Sequence, residues 1–143
     1  MQVFVNNFHM SPQRSDCPIS CSLEIWGDKW SLLIIRDLMF AKECTYGDFL
    51  KSAEKISTNI LASRLRTLEQ NELIQKLEHP YSKSKVLYKL TDKGIDLIPI
   101  LVEINLWANK HSLPIDEKSR AILDQVKFDK HGFLMKAMAR LKD

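Results

Sequence analysis

The chain has 143 residues, of which 45% are hydrophobic and 27% charged, values typical of a single globular domain with its own core rather than of a disordered chain. No apolar run approaches the roughly 18 residues that span a membrane, and the first residues lack the pattern of a secretory signal. The sequence therefore predicts a cytoplasmic protein without a membrane partner, and its net charge of +3 is too small to define a partner by itself.

Three segments follow one another along the chain. Residues 1–15 show no clean hydrophobic period and are predicted to form a flexible arm. Residues 16–111 alternate periodic runs with turn signals and are predicted to form the main domain. Residues 112–143 begin with a Ser-Leu-Pro stop and are predicted to add a C-terminal helical extension of two short helices, separated at His131-Gly132.

The main domain is predicted to begin with two helices. Pro18 suits the first turn of a short helix that is capped by Asp16 or Cys17 and interrupted at Gly27. The following run, Lys29–Phe40, is apolar on most of its sides, which is typical of a helix in the middle of a core.

A helix-turn-helix pattern comes next. Thr45 is expected to cap a short helix over Tyr46–Ala53, and either Ser57 or Thr58 is expected to cap a longer helix after the turn. In this longer helix the apolar residues recur at the spacing of one buried stripe. The stripe consists of Ile56, Leu61, Leu65 and Leu68.

The other side of the longer helix is polar and partly basic, and Ser57–Arg66 contains no acidic residue. Small polar side chains and arginine are the types that hydrogen-bond to base edges and phosphates, although a merely solvated surface is the alternative. We predict groove contacts along this side, and phosphate contacts at the start of the helix. The predicted DNA-binding residues of the helix are Ser57, Thr58, Asn59, Ser63, Arg64 and Arg66.

Two short β-rich runs follow, Ile74–Glu78 and Val86–Leu90, and a polar link without acidic residues joins them. This pattern predicts a β-hairpin with an exposed tip. Lys83 and Lys85 in the link are predicted to bind the DNA backbone, with Tyr81 as an additional contact. A helix with a basic polar side followed by such a hairpin is typical of a winged helix-turn-helix, whose partner is double-stranded DNA.

The segment Ile95–His111 is predicted to form one long helix, preceded by Thr91 as a cap and kinked by Pro99. It is apolar around much of its circumference, and the simplest cover for such a surface is the same helix of a second copy. The predicted fold is thus mainly α (α+β): a winged helix-turn-helix domain with a two-stranded wing and flanking N- and C-terminal dimerisation helices, assembled as a homodimer.

These features resemble the HxlR-type winged-helix transcriptional regulators of bacteria, which are relatives of the MarR group. The matches occur in a constant order over roughly Cys17–His111 and include Gly27-Asp28-Lys29-Trp30, Arg64–Glu69 and Tyr88–Thr91. The resemblance implies a homodimer on a palindromic operator, usually acting as a repressor, with no enzymatic activity and no cofactor. Where the family usually has a glycine after the recognition helix, this chain has Asn71-Glu72, and Asn71 is expected to adopt the left-handed cap conformation.

The chain has an odd number of cysteines: Cys17, Cys21 and Cys44. A structural disulfide framework is therefore not expected in a cytosolic protein. Some members of the resembled family sense oxidants or electrophiles through a cysteine at the position of Cys17. The partial positive charge of a helix N-terminus favours a thiolate there, and Cys21 lies one turn further on. The alternative is that both are small buried hydrophobic residues. No set of well-spaced ligands predicts a metal site.

Two alternatives to a thiol-controlled regulator stay open. One is a winged helix that binds another protein, against which the acid-free helix surface argues. The other is a regulator that responds to a small-molecule ligand rather than to oxidation. Trp26, Trp30 and Trp107 are candidates for lining such a ligand pocket, but large aromatic residues more often belong to the core, which we favour. A thiol-dependent enzyme has no support, because no histidine other than His9 lies near Cys17 in sequence.

Overall fold

A computed structural model describes residues 14–143, so nearly all of the predicted arm lies outside the described residues. The elements in chain order are α1 (Pro18–Trp26), α2 (Ser31–Ala41), β1 (Cys44–Thr45), α3 (Tyr46–Leu50), α4 (Thr58–Gln70), β2 (Ile74–Glu78), β3 (Val86–Leu90), α5 (Asp92–Ile95), α6 (Ile98–Lys110) and α7 (Glu117–Lys142). This order confirms the predicted mainly helical, winged helix-turn-helix class. Within the described part of the chain, no helix is both long and apolar enough to cross a membrane.

The two-stranded wing forms as predicted, but the sheet that contains it has one further strand. β2 and β3 pair antiparallel with the predicted bounds, from Ile74 opposite Leu90 to Glu78 opposite Val86. β1 pairs with the other edge of β3, which gives the strand order β1-β3-β2. A strand of two residues is too short to produce an alternating pattern, and for that reason the sequence prediction missed it.

Side-chain caps set the starts of α3 and α4. Thr45 caps α3 as predicted, and it does so in a reciprocal capping box with Asp48. Ser57, and not Thr58, caps α4 by accepting a hydrogen bond from the backbone N–H of Ile60 at 3.4 Å. Cys17 occupies the N-cap position of α1, although its side chain makes no capping hydrogen bond.

The predicted single helix Ile95–His111 is wrong at its start. α5 is a separate short helix that ends at Ile95 and is capped by Thr91, and α6 begins only at Ile98. Pro99 lies in the first turn of α6, where a missing N–H leaves no intrahelical hydrogen bond unmade. Pro99 therefore starts a helix and does not kink one.

The C-terminal segment breaks at Asp129, two residues before the predicted position. Asp129 has a non-helical backbone (φ −154°, ψ 88°), and its Oδ1 accepts a hydrogen bond from the Gly132 N–H at 3.0 Å. Asp129 thus caps the second half of α7. Gly132 belongs to that second half, and a Cβ at this position would collide with the Asp129 carboxylate.

One hydrophobic cluster joins the helices to the sheet. The predicted stripe of α4 lies in it, since Leu61, Leu65 and Leu68 are all buried. Trp26 and Trp30 pack against the same cluster, but Trp107 on α6 is 59% exposed in the single chain and does not belong to the core. The cluster holds α4 by its apolar side and leaves its polar side outward.

Candidate nucleic-acid interface

The outward side of α4 carries most of the predicted DNA contacts. Ser57, Thr58, Asn59 and Arg66 are exposed, and Ser63 is partly buried. Because a helix displays residues three or four positions apart on the same side, the last three of these line up along the surface. They form a continuous polar and basic stripe.

Both ends of α4 are tied to neighbouring elements. At its first turn, the Tyr46 hydroxyl of α3 donates a hydrogen bond to the Thr58 carbonyl oxygen at 2.6 Å. At its last turn, the Glu69 carboxylate lies 3.5 Å from the Lys76 ammonium of β2. These contacts join α4 to both α3 and the wing.

Arg64 differs from the other predicted contacts. Its Nη1 lies 3.6 Å from Oδ1 of Asp28, in the turn between α1 and α2, and its side chain is only 31% exposed. Asp28 also accepts hydrogen bonds from the backbone N–H groups of Trp30 at 2.9 Å and Ser31 at 3.0 Å. Asp28 thus caps the N-terminus of α2 and also forms an ion pair with Arg64 of α4.

The charge of Asp28 is maintained by these contacts. Burial by itself raises the pKa of the Asp28 carboxyl, but hydrogen bonds from Ser31 and Trp30, together with the positive charge of Arg64, outweigh burial and lower the pKa below its ordinary value. The role of Asp28 was missed in the sequence. The available signal was an acidic residue directly before an apolar helix.

The wing tip presents its predicted contacts without such ties. Tyr81 is 92% exposed, and Lys83 and Lys85 are exposed as well. The tip is shaped by local hydrogen bonds, among them one from the Tyr81 N–H to His79 Nδ1 at 3.1 Å. Its cations are therefore accessible to a polyanion.

The three cysteines are free thiols in different surroundings. Cys17 is exposed, which is the opposite of the buried alternative, and Cys21 is partly buried. Both cysteines form a hydrogen bond with Ser15. The Cys17 N–H donates to the Ser15 hydroxyl, and the Cys21 thiol donates to the Ser15 carbonyl oxygen, each at 3.3 Å. Burial in β1, with Asp37 and Asp48 nearby, raises the pKa of the Cys44 thiol to about 12, so Cys44 stays a neutral thiol at physiological pH.

Metal binding has no support in the described residues, among which no three His, Cys, Asp or Glu side chains are grouped to hold an ion.

The family model of HxlR-like helix-turn-helix proteins matches residues 25–116. The chain belongs to this family. It is a DNA-binding transcriptional regulator of the HxlR and MarR type. The matched residues extend from α1 to the loop after α6, so they include both α4 and the wing.

Similar proteins support the assignment. The chain is 34% identical to the HTH-type transcriptional regulator YodB of Bacillus subtilis over 101 residues, which cover 70% of this chain and 89% of YodB. The reduced form of YodB is similar in structure, with a TM-score of 0.57 and 33% identity over 71% of this chain and all of YodB. A MarR-family regulator from Porphyromonas gingivalis gives a TM-score of 0.57 and 30% identity over 69% of this chain and 96% of its own.

A structure of YodB with bound quinone is also similar to this chain, with a TM-score of 0.56 and 32% identity over 66% of this chain and 98% of YodB. The predicted family and fold are confirmed by these similarities.

Proposed function

We propose that this regulator is a homodimeric repressor that binds a palindromic operator, with α4 in the major groove and the wing on the adjacent backbone. The acid-free polar stripe of α4, together with the exposed lysines of the wing tip, is the observation that carries the proposal. A local positive surface on a protein of nearly neutral charge suits a polyanion.

The proposed contacts divide into readout and positioning. Asn59 and Arg66 read base edges from the exposed side of α4, with Ser63 beside them, because an amide and a guanidinium form paired hydrogen bonds to purines. At the N-terminus of α4, the hydroxyls of Ser57 and Thr58 donate to phosphate. The wing residues, which hold the backbone without reading sequence, are Tyr81, Lys83 and Lys85.

Arg64 has a different proposed role. Its ion pair with Asp28 directs the guanidinium towards the turn between α1 and α2. Arg64 therefore braces α4 at the angle at which Asn59 and Arg66 meet the bases. The sequence placed Arg64 among the groove contacts because helical spacing alone does not reveal a partner from a distant turn.

Exposed apolar residues support the dimer. Ile19 and Leu23 on α1, and Ile104 and Trp107 on α6, remain exposed in the single chain. A second copy that covers these side chains removes apolar area from water, which favours association. A two-fold axis through this surface presents two α4 helices to half-sites about 34 Å apart.

Control by an electrophile is proposed at Cys17. Its exposed thiol lies on α1, the helix that also carries the exposed Ile19 and Leu23. Addition of a quinone forms a bond from sulfur to a ring carbon while the ring C=C bond opens. The thiol proton ends on one quinone oxygen and the hydrogen of the attacked carbon moves to the other, which leaves a hydroquinone adduct without any further oxidant. An adduct beside the proposed dimer surface changes how the two copies, and hence the two α4 helices, are spaced.

The test is fluorescence anisotropy of the purified protein on the DNA upstream of its own gene. It is run reduced and again after treatment with benzoquinone, with the wild type, Cys17→Ser and Cys44→Ala in parallel. We expect tight binding in the reduced state that quinone abolishes in the wild type and in Cys44→Ala but not in Cys17→Ser.

Each other outcome removes one part of the proposal. Tight binding that is indifferent to quinone keeps the regulator and rejects the thiol control. Loss of binding in Cys17→Ser as well as in the wild type rejects Cys17 as the site. Binding no tighter than to random duplex DNA rejects this operator, and a monomer in sedimentation equilibrium rejects the dimer.

A further inference from the structure

We propose that α2 and α7 together form a binding site for a small monocarboxylate with an apolar tail. The site is an open pocket of about 260 Å³ between the end of α2 and both halves of α7. It lies largely on the C-terminal segment, beyond residue 116, where the family match ends. The DNA-binding surface does not contribute to it.

The pocket exists because α7 folds back at Asp129. Ile122 and Arg140 both line it, although in a straight helix residues so far apart in sequence are separated by about 27 Å. The non-helical backbone of Asp129 brings the two halves of α7 to the same end of α2. The pocket is thus a product of the fold and not a gap along one helix.

Its floor is apolar. Met39 and Phe40 of α2 face Ile122, Phe133 and Ala137 of α7 across the space. Sites for drug-sized ligands have volumes of roughly 300–1,000 Å³, so a pocket of this size suits a smaller molecule. An alkyl chain or a single substituted aromatic ring fits this lining, and burying it removes apolar area from water.

Its edge is cationic. Lys136 and Arg140 line the opening, and none of the described lining residues carries a carboxylate. Arg140 donates a hydrogen bond to the Met39 carbonyl oxygen, which holds the guanidinium at the edge and leaves its other N–H groups available. The Lys118 ammonium adds a third positive charge, 5.3 Å from the centre of the Phe40 ring.

The charge decides the head group. Two cations beside an apolar floor attract an anion and repel an ammonium, while a neutral alcohol gains only from the floor. A carboxylate accepts hydrogen bonds from Lys136 and Arg140 while its tail lies against Phe40 and Phe133. Fatty acids and aromatic acids share this chemistry.

The test is isothermal titration calorimetry on the full chain without DNA, so its result is independent of the proposed repressor. Octanoate and 4-butylbenzoate represent the two sources of acid, and 1-octanol and octylamine are eight-carbon alkyl compounds, like octanoate, with other head groups. We expect at least one acid to bind more tightly than octanol, and octylamine to bind most weakly. The acid that binds more tightly shows whether the pocket prefers an alkyl or an aromatic tail.

Variants locate the site. Lys136→Gln is expected to weaken acid binding about threefold, or about 0.65 kcal/mol, and to leave octanol binding unchanged, since an exposed ion pair contributes little. Ala137→Phe fills the pocket and is expected to abolish binding of both the acid and octanol. Lys127→Gln removes an exposed charge of α7 that does not line the pocket, and serves as the control.

Three results overturn the proposal: no acid binding at millimolar concentration, neither acid binding more tightly than octanol, or equal acid affinity in Lys136→Gln and Lys127→Gln. If Ala137→Phe fails to fold, the two lysine variants still decide.

Discussion

The two parts of the candidate DNA interface are built in opposite ways. α4 buries three leucines and is tied by Tyr46 to α3, by Glu69 to the wing and by Arg64 to the turn before α2. The wing tip, residues 79–85, carries two exposed lysines and an exposed tyrosine on a turn shaped by local hydrogen bonds.

The difference matches two physical tasks. Base readout requires donors and acceptors held in one geometry, because paired hydrogen bonds lose their discrimination when the side chain shifts. Attraction to the phosphate backbone requires charge and reach, which exposed lysines supply without a defined orientation. The contrast between a rigid helix and a loosely held tip therefore predicts which substitutions change specificity and which change affinity for all DNA.

The largest effect is expected where α4 meets the core. Leu61→Ala removes a fully buried side chain and is expected to lower the free energy of unfolding by about 2–5 kcal/mol. Gln70→Ala on the exposed side of the same helix is expected to change it by less than about 0.5 kcal/mol. Urea denaturation measures both, and similar losses in the two variants contradict the assignment of the buried side.

Arg66→Ala is expected to weaken operator binding by about 1–3 kcal/mol and to relax discrimination at one position of each half-site. Anisotropy titrations against an operator and its single-base variants measure this effect. Lys127→Ala removes a charge from α7 and is the control for a general loss of positive charge. If Arg66→Ala weakened all sequences equally, Arg66 would be a backbone contact instead.

Lys83→Ala is expected to weaken binding to operator and random DNA by the same factor. It removes one phosphate contact per subunit, so the slope of log affinity against log salt falls by about one for each wing in contact. Titrations at several salt concentrations give the slope. An unchanged slope removes the wing tip from the interface.

The brace between Asp28 and Arg64 is tested by a double-mutant cycle. Asp28→Asn, Arg64→Gln and the double variant are expected to show a coupling of about 0.5–1 kcal/mol in the free energy of unfolding. Because the pKa of Asp28 is lowered in the folded state, its contribution is present above its ordinary value of 3.8 and is lost as pH falls through the folded value. The difference between wild type and Asp28→Asn should therefore shrink on acidification.

The same variants separate a brace from a DNA contact. If Arg64 braces α4, Arg64→Gln leaves the salt slope of DNA binding unchanged. A slope lowered by about one for each Arg64 in contact assigns Arg64 to phosphate and contradicts the brace.

The smallest expected effect concerns the end of α4. Glu72 has a positive φ of 61°, and the Leu73 N–H bonds to the Leu68 carbonyl oxygen at 2.9 Å, as in a Schellman cap. Glycine adopts a positive φ without the steric strain of a residue that has a Cβ. Glu72→Gly is therefore expected to stabilise the fold by roughly 0.5 kcal/mol. Asn71→Gly, at a residue with φ of −90°, is expected to bring no gain. Thermal unfolding compares the two.

This last pair also corrects the sequence prediction, which placed the left-handed residue at Asn71. Asparagine is the better residue for that conformation, but the length of α4 decides which position receives it, and α4 continues to Gln70 with Asn71 still right-handed or close to it. Residue preference alone cannot locate a helix end to one residue.

Other parts of the fold divide in the same way between local and distant causes. Local sequence determines the bounds of β2 and β3, which were predicted correctly. It also determines three helix caps: Thr45 and Thr91 were predicted directly, and Ser57 was one of the two predicted caps of α4. β1 depends on pairing with a strand that lies some forty residues later in the chain, so nothing local reveals it. The pairing of Arg64 with Asp28 depends on tertiary contact in the same way.

The contrast among the three thiols has a practical consequence for spectroscopy. Cys17 is exposed, whereas Cys44 is buried and stays protonated. In a Cys21→Ser background, a maleimide spin label therefore attaches to the native protein at residue 17 alone, and in a two-fold dimer the two labels report one distance between the starts of the α1 helices. Measuring the distance between the labels with and without operator DNA shows directly whether DNA binding changes the spacing of the subunits.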